Sequence, residues 1–145
     1  MSPRWFAGLL VITIAAGGCG KKEAPKPPVS DAGPVSGAPA DAQQLGAEMF
    51  ELIDRIADYR SSHDGKPPRN LRQLGVDSLT ANTVRRLAVQ GRTFTVTVVY
   101  RRPEGRAVQN CSAGEDALEQ AALNEGRFAV SCDTPSGPQG FEVVK

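Results

Sequence analysis

The feature that most constrains this chain is an apolar stripe between residues 45 and 59, closed a few residues later by a double proline. Leu45, Met49, Leu52, Ile53, Ile56 and Tyr59 recur at helical spacing, and Phe50 and Ala57 widen the stripe. Glu48, Glu51, Asp54, Arg55, Asp58 and Arg60 fall largely between them; Glu48, Glu51, Asp54 and Asp58 make an acidic helix surface, and Glu51 and Arg55 are an i,i+4 pair in the favourable order. Asp41, three residues before Gln44, makes a capping-box-like start. The pattern predicts a helix from Asp41 to about Ser62, ending at His63-Asp64-Gly65. Glycine suits the left-handed closing residue, and Pro67-Pro68 cannot continue a helix. Isolated helices of this kind owe their stability to tertiary packing of the apolar face, so the rest of the chain must cover it.

The covering layer is expected to be a small antiparallel sheet. Arg92 to Arg101 is the clearest strand: Phe94, Val96, Val98 and Tyr100 face one way, Thr95 and Thr97 the other. Arg102-Pro103-Glu104-Gly105 is a turn signal, which predicts Ala107 to Cys111 as the hairpin partner. Ser112-Ala113-Gly114-Glu115 reads as a second capping box, introducing a helix with Ala117, Leu118, Ala121 and Ala122 inward that stops near Gly126. Arg127 to Cys132 alternates as a strand, and after a Pro/Gly loop Phe141 to Val144 makes a last one. Pro68 to Leu74 suits a single helical turn ended by Gly75. Val76 to Gln90 has no clear period; Leu79, Val84 and Leu87 are expected to be buried, and Thr80 or Asp77 suits the cap of a short helix. The fold class is therefore α+β: a long N-terminal helix packed on a small antiparallel sheet, with a second short helix.

Upstream of this domain, assigned to residues 41–145, the chain changes character. Arg4 and the amino terminus form a short positive region, and Trp5 to Ala16 is a charge-free apolar run of the length of a secretory signal. It is shorter than the roughly 20 residues a bilayer span requires. The run ends Ala16-Gly17-Gly18-Cys19, where the chain resembles the bacterial lipoprotein signal peptides, with Ala16 where that family most often has leucine. The resemblance implies a signal peptide over residues 1–18, cleavage after Gly18 and diacylation of the Cys19 thiol, hence a membrane contact through an N-terminal lipid. Two or three acyl chains, at about 0.8 kcal/mol per buried methylene, anchor stably where one does not. Gly20 stands where aspartate would be the retention signal, which at family level implies the outer membrane, facing the periplasm, in a didermal host. The alternatives are an ordinary cleavable signal with an incidental cysteine, or a buried helix.

Residues 19–40 carry Cys19 and a stretch rich in Pro, Ala, Gly and Ser, with almost no large apolar side chains. Such a composition cannot bury enough surface to offset ordering entropy and is expected to be a disordered, partly extended tether. Its 21 residues after Cys19 reach at most about 70 Å at the maximal backbone rise. Lys21, Lys22 and Lys26 lie nearest the anchor, suited to anionic headgroups or simply to solubility.

Removing residues 1–18 takes away only Arg4 among the charges, leaving 16 basic against 16 acidic side chains. Such a balance argues against a nucleic-acid protein. With Cys19 lipidated, Cys111 and Cys132 are an even pair in an oxidising compartment, where a disulfide persists. Closing that loop removes on the order of 3 kcal/mol of unfolded-state entropy. The competing reading, a redox or metal pair, lacks C-x-x-C spacing and a neighbouring histidine.

Phe50 to Leu74, FELIDRIADYRSSHDGKPPRNLRQL, resembles part of a type IV pilin or type II secretion pseudopilin headgroup. In that family a long helix ends in a tyrosine-bearing turn, followed by a Gly-x-x-Pro step and a leucine-bearing turn; Tyr59, Gly65, Pro68, Leu71 and Leu74 fit the order. The resemblance covers about 25 residues and implies a helix against an antiparallel sheet. The prepilin cleavage site and the glutamate-bearing hydrophobic helix are lacking, so polymerisation is not implied.

No catalytic constellation is visible. His63 is the single histidine; Ser62, His63 and Asp64 are neighbours at one helix end and cannot converge as a triad, whereas a histidine there interacts favourably with the helix dipole. No cluster of metal ligands, phosphate-cradling loop or dinucleotide fingerprint appears, so neither metal nor cofactor is expected. Arg85, Arg86, Arg92, Arg101, Arg102 and Arg106 concentrate basic charge opposed only by Glu104. They form either a solvated face with mutual ion pairs or a surface for an anionic partner, an envelope polymer or headgroup or an acidic protein. The expectation is a lipid-anchored, non-enzymatic envelope protein presenting a binding domain. Its alternatives are an accessory subunit of a secretion or pilus-like machine and an envelope hydrolase.

Overall fold

The computed structural model describes residues 37–145. The export segment, Cys19 and the tether as far as residue 36 lie outside the described residues.

Helix α1 spans Ala40–Ser61, with Ala42, Leu45, Met49, Leu52, Ile53 and Ile56 wholly buried along one side. The expected capping box does not form. Pro39 holds the N-cap position with no side-chain cap, and Ala38 already packs against the core. Asp41 turns instead to a distant loop: Oδ1 accepts from Arg106 Nη1 at 2.9 Å and Oδ2 from the Ala107 N–H at 2.9 Å. A charged donor in tertiary contact outcompetes the local cap. At the other end Gly65 takes φ 73° and its N–H returns to the Arg60 carbonyl at 3.0 Å. Pro67 and Pro68 follow, both buried, and a 3-10 turn runs over Leu71–Leu74, where Asn70 Oδ1 accepts from the Gln73 N–H.

Five strands follow: β1 Thr83–Gln90, β2 Thr93–Tyr100, β3 Asn110–Gly114, β4 Arg127–Thr134 and β5 Gly137–Val144. They pair in chain order, every neighbour antiparallel, as a meander. Helix α2, Ala117–Leu123, sits between β3 and β4 in sequence. The class is α+β.

Three local expectations are corrected. Residues 83–90 form a strand, not a short helix, and Leu79 is 55% exposed. The period of two was masked because Arg85 occupies an inward position, where Glu48 of α1 meets its charge. That strand pairs with β2 through Gly91-Arg92; the partner expected after the 102–105 turn does return antiparallel on the other side of β2, but over Asn110–Gly114 rather than Ala107 to Cys111. Ser112 to Gly114 stay in β3, since Ala113 opposes Val96 and Cys111 opposes Val98; α2 begins at Ala117 with no side-chain cap. Backbone ladder bonds here win over the local capping alternative.

The expectation for the long helix also changes. Thirty-nine residues precede α1, so it is not N-terminal in the chain, and the layer it meets is not a small sheet alone. Its buried face shares one core with Phe94, Val96 and Val98 of β2 and Phe128 of β4, but also with Leu71, Val76 and the α2 residues Ala117 and Ala121. The helix lies close to β5 at Gly46, where an added Cβ would lie 2.7 Å from Val143 Cγ2. Cys111 and Cys132, directly opposed on β3 and β4 and both buried, form a disulfide.

Candidate functional site

The structure disperses the six arginines of the sequence cluster. Arg85 faces α1, where its Nε bonds Glu48 Oε2 at 3.2 Å; the same carboxylate oxygen accepts from the buried Thr83 hydroxyl at 2.8 Å. Arg106 lies 3.8 Å over the Tyr100 ring and is held by Asp41. Arg101 turns its Nη1 towards the carbonyls of Thr80 and Ala81, and Arg92 at the hairpin tip reaches the Asp64 carbonyl. These four are engaged within the fold. Arg86 and Arg102 are exposed, and their guanidinium groups make no hydrogen bond or ion pair among the described residues.

The recess bounded by Arg101, Arg102 and Arg106, about 350 Å³, is thus built largely of arginines already partnered. A second hollow is different. A groove of about 720 Å³ runs between the 3-10 turn and the free side of β1. Arg69 and Arg72 border it from the turn, Arg85 and Arg86 from the strand. Leu71, Val76 and Leu87 supply apolar lining, and Asp77 the one carboxylate. Arg69, Arg72 and Arg86 are exposed with no side-chain partner among the described residues, so three free guanidinium groups face one carboxylate. Arg69 and Arg72 are the members sequence reading missed. A signal existed for Arg72: a turn that folds Leu71 inward turns the next residue outward.

No catalytic geometry accompanies the groove. Among the described residues no three His, Cys, Asp or Glu side chains gather as a metal site. His63 stacks on Tyr59 at 3.7 Å, with Nδ1 2.8 Å from the Tyr59 carbonyl and 2.9 Å from Ser62 Oγ. A triad needs its hydroxyl and its orienting acid on opposite ring nitrogens, and here both neighbours meet Nδ1. The ring caps a helix carbonyl.

Tyr100 has a raised pKa. Burial raises it above 10.0, Asp41 and Glu48 add to the rise, and the Arg106 guanidinium opposes it. The neutral phenol donates to Gln44 Oε1 at 2.9 Å, so its proton is structural. Among the described residues no helix is long and apolar enough to cross a membrane. Comparison with protein-family models, curated proteins and solved structures gives no match.

Proposed function

We propose that this chain is a lipid-anchored envelope protein, held at the membrane through Cys19 and non-enzymatic, whose folded domain binds an anionic partner. One observation carries the binding part: the unpaired guanidinium groups of Arg69, Arg72 and Arg86 converge on a single apolar-lined groove. Arginine presents a planar fork suited to carboxylate and phosphate, and unpartnered forks beside apolar surface favour a ligand that offers both kinds of contact. The buried disulfide supports an oxidising location. The test measures binding of the purified chain to envelope fractions across a salt series. Arg72→Glu with Arg86→Glu is expected to weaken binding at least tenfold and flatten its salt dependence. Unchanged binding refutes the site. Acyl mass on the amino-terminal fragment, lost in Cys19→Ser, tests the anchor separately.

A second reading, an accessory subunit of a secretion or pilus-like machine, rests on the order of turns after α1. Gly65 at φ 73°, buried Pro67 and Pro68, and the Leu71–Leu74 turn follow one another before an antiparallel meander. The α1 face shares its core with that sheet, and with the 3-10 turn and α2 besides. In-cell crosslinking that recovers components of such a machine supports it; recovery of none refutes it.

A further inference from the structure

The groove lies along a sheet edge that is only half covered. In an antiparallel ladder, residues of one strand alternate between those whose N–H and C=O face the partner and those whose groups face away. The Arg85 N–H donates to the Ser78 carbonyl at 2.8 Å, and the Thr83 carbonyl accepts from the Thr80 N–H at 2.9 Å. Both bonds leave β1 on the side away from β2. The same alternation turns the N–H and C=O of Leu87 and Val89 outward. Residues 78–80 pair with the first half of the edge and then depart, and no described residue bonds Leu87 or Val89 on that side. The opposite edge is treated otherwise. On β5, the Gln43 side chain bonds both the Val144 carbonyl, at 2.6 Å, and the Val144 N–H, at 3.1 Å.

We propose that the free half of β1 accepts an extended acidic segment of a partner protein, which adds as a sixth strand. The proposal deepens the anionic-partner reading and rests on it. Main-chain pairing to Leu87 and Val89 supplies the geometry. Charge complementarity selects the occupant: Arg69, Arg72 and Arg86 flank the track against the single carboxylate of Asp77. A strand sends alternate side chains to opposite faces, and Arg85 and Arg86, neighbours on opposite faces of β1, both border the groove. The two faces of β1 therefore both contribute, and an added strand meets the exposed Arg86 guanidinium on one face and Leu87 on the other. An inward charge or proline guards an edge; the inward Arg85 stands before the open stretch and is paired with Glu48. Here that stretch is Leu87 and Val89, both half-buried and apolar.

The experiment titrates the purified full chain, in detergent, with a fluorescein-labelled peptide of alternating glutamate and valine. A second peptide has the same sequence with every amide N-methylated, keeping the charge but unable to pair. The first peptide is expected to bind, to slow hydrogen exchange at the Leu87 and Val89 amides, and to weaken at least tenfold in Arg86→Gln. The N-methylated peptide is expected to bind about tenfold or more weakly, from the loss of at least two backbone bonds. Val89→Pro, which removes an outward N–H and no bond to β2, is expected to keep the fold and weaken the first peptide to the same degree. Equal binding of both peptides, or unchanged exchange at Leu87 and Val89, overturns strand addition. So does Arg86-dependent binding of phosphatidylglycerol vesicles without binding of the peptide, which leaves the anionic-groove reading standing. Binding of neither peptide nor vesicles overturns both readings.

Discussion

Replacing Gly46 by alanine sets helix propensity against packing, and the distances decide the sign. In an unhindered helix interior, Gly→Ala stabilises by about 1 kcal/mol. At Gly46 the new Cβ would stand 2.7 Å from Val143 Cγ2, 2.9 Å from its Cβ and 3.1 Å from Cγ1. Attractive carbon contacts lie near 3.5–4.0 Å. Turning the Val143 side chain moves the two Cγ atoms but not the Cβ, which is fixed to the backbone of β5. Helix and strand must therefore separate by about 1 Å, in a core where Val143 and Leu45 are fully buried. Overpacking of this kind costs about 1–3 kcal/mol, and the immobile Cβ places this case in the upper half of that range. The net expectation is a loss of about 1–2 kcal/mol, or about 5–15 °C in Tm for a domain of this size. Thermal melts and urea titrations of wild type, Gly46→Ala, Val143→Ala and the double variant measure it. Val143→Ala removes both Cγ contacts and leaves the Cβ contact, so the double variant should be more stable than additivity predicts by about 1 kcal/mol. A Tm for Gly46→Ala at or above wild type, or strict additivity, refutes a close helix–strand contact at Gly46.

Two further outcomes follow from the covalent and titrating groups. Cys111 and Cys132 are 21 positions apart; Cys111→Ala with Cys132→Ala should cost about 3 kcal/mol, read as a lower urea midpoint, and an unchanged midpoint counts against the bridge. Tyr100 has a folded-state pKa above its unfolded value of 10.0. Its contribution to stability is complete below pH 10 and declines as pH rises through the folded value. The phenolate absorbance lost in Tyr100→Phe should appear only above pH 10, and the alkaline decline in stability should be shallower in that variant; appearance at or below pH 10 refutes the assignment.

How far the fold was legible depended on whether a residue's role was set locally. The α1 stripe, the Gly65 stop and the alternation of β2 need only near neighbours, and the structure keeps them at nearly the expected bounds. The failures sit where a distant partner overrode a local preference. Asp41 has the sequence of a cap and the position of a loop clamp, since Arg106 lies 65 residues away in the chain. Ser112 has the sequence of a cap too, but β2 and β4 hold its backbone in a ladder. Arg85 hid β1 altogether, because an inward arginine is tolerable only beside Glu48, 37 residues earlier.

The same logic governs the candidate site. Six arginines close in sequence were open to two readings, one basic surface or solvated faces with ion pairs, and proximity in a sheet hairpin separates neighbours onto opposite faces and both sides of a turn. Folding then removed four of the six from availability: Glu48 and Asp41 neutralise two, and backbone carbonyls hold Arg92 and Arg101. What gathers free charge is a tertiary event, the 3-10 turn and the residues just before it bringing Arg72 and Arg69 to the edge where Arg86 projects. A cationic run in sequence measures how much charge the fold must place; only the unpaired remainder, set beside apolar surface and open backbone, can select a partner.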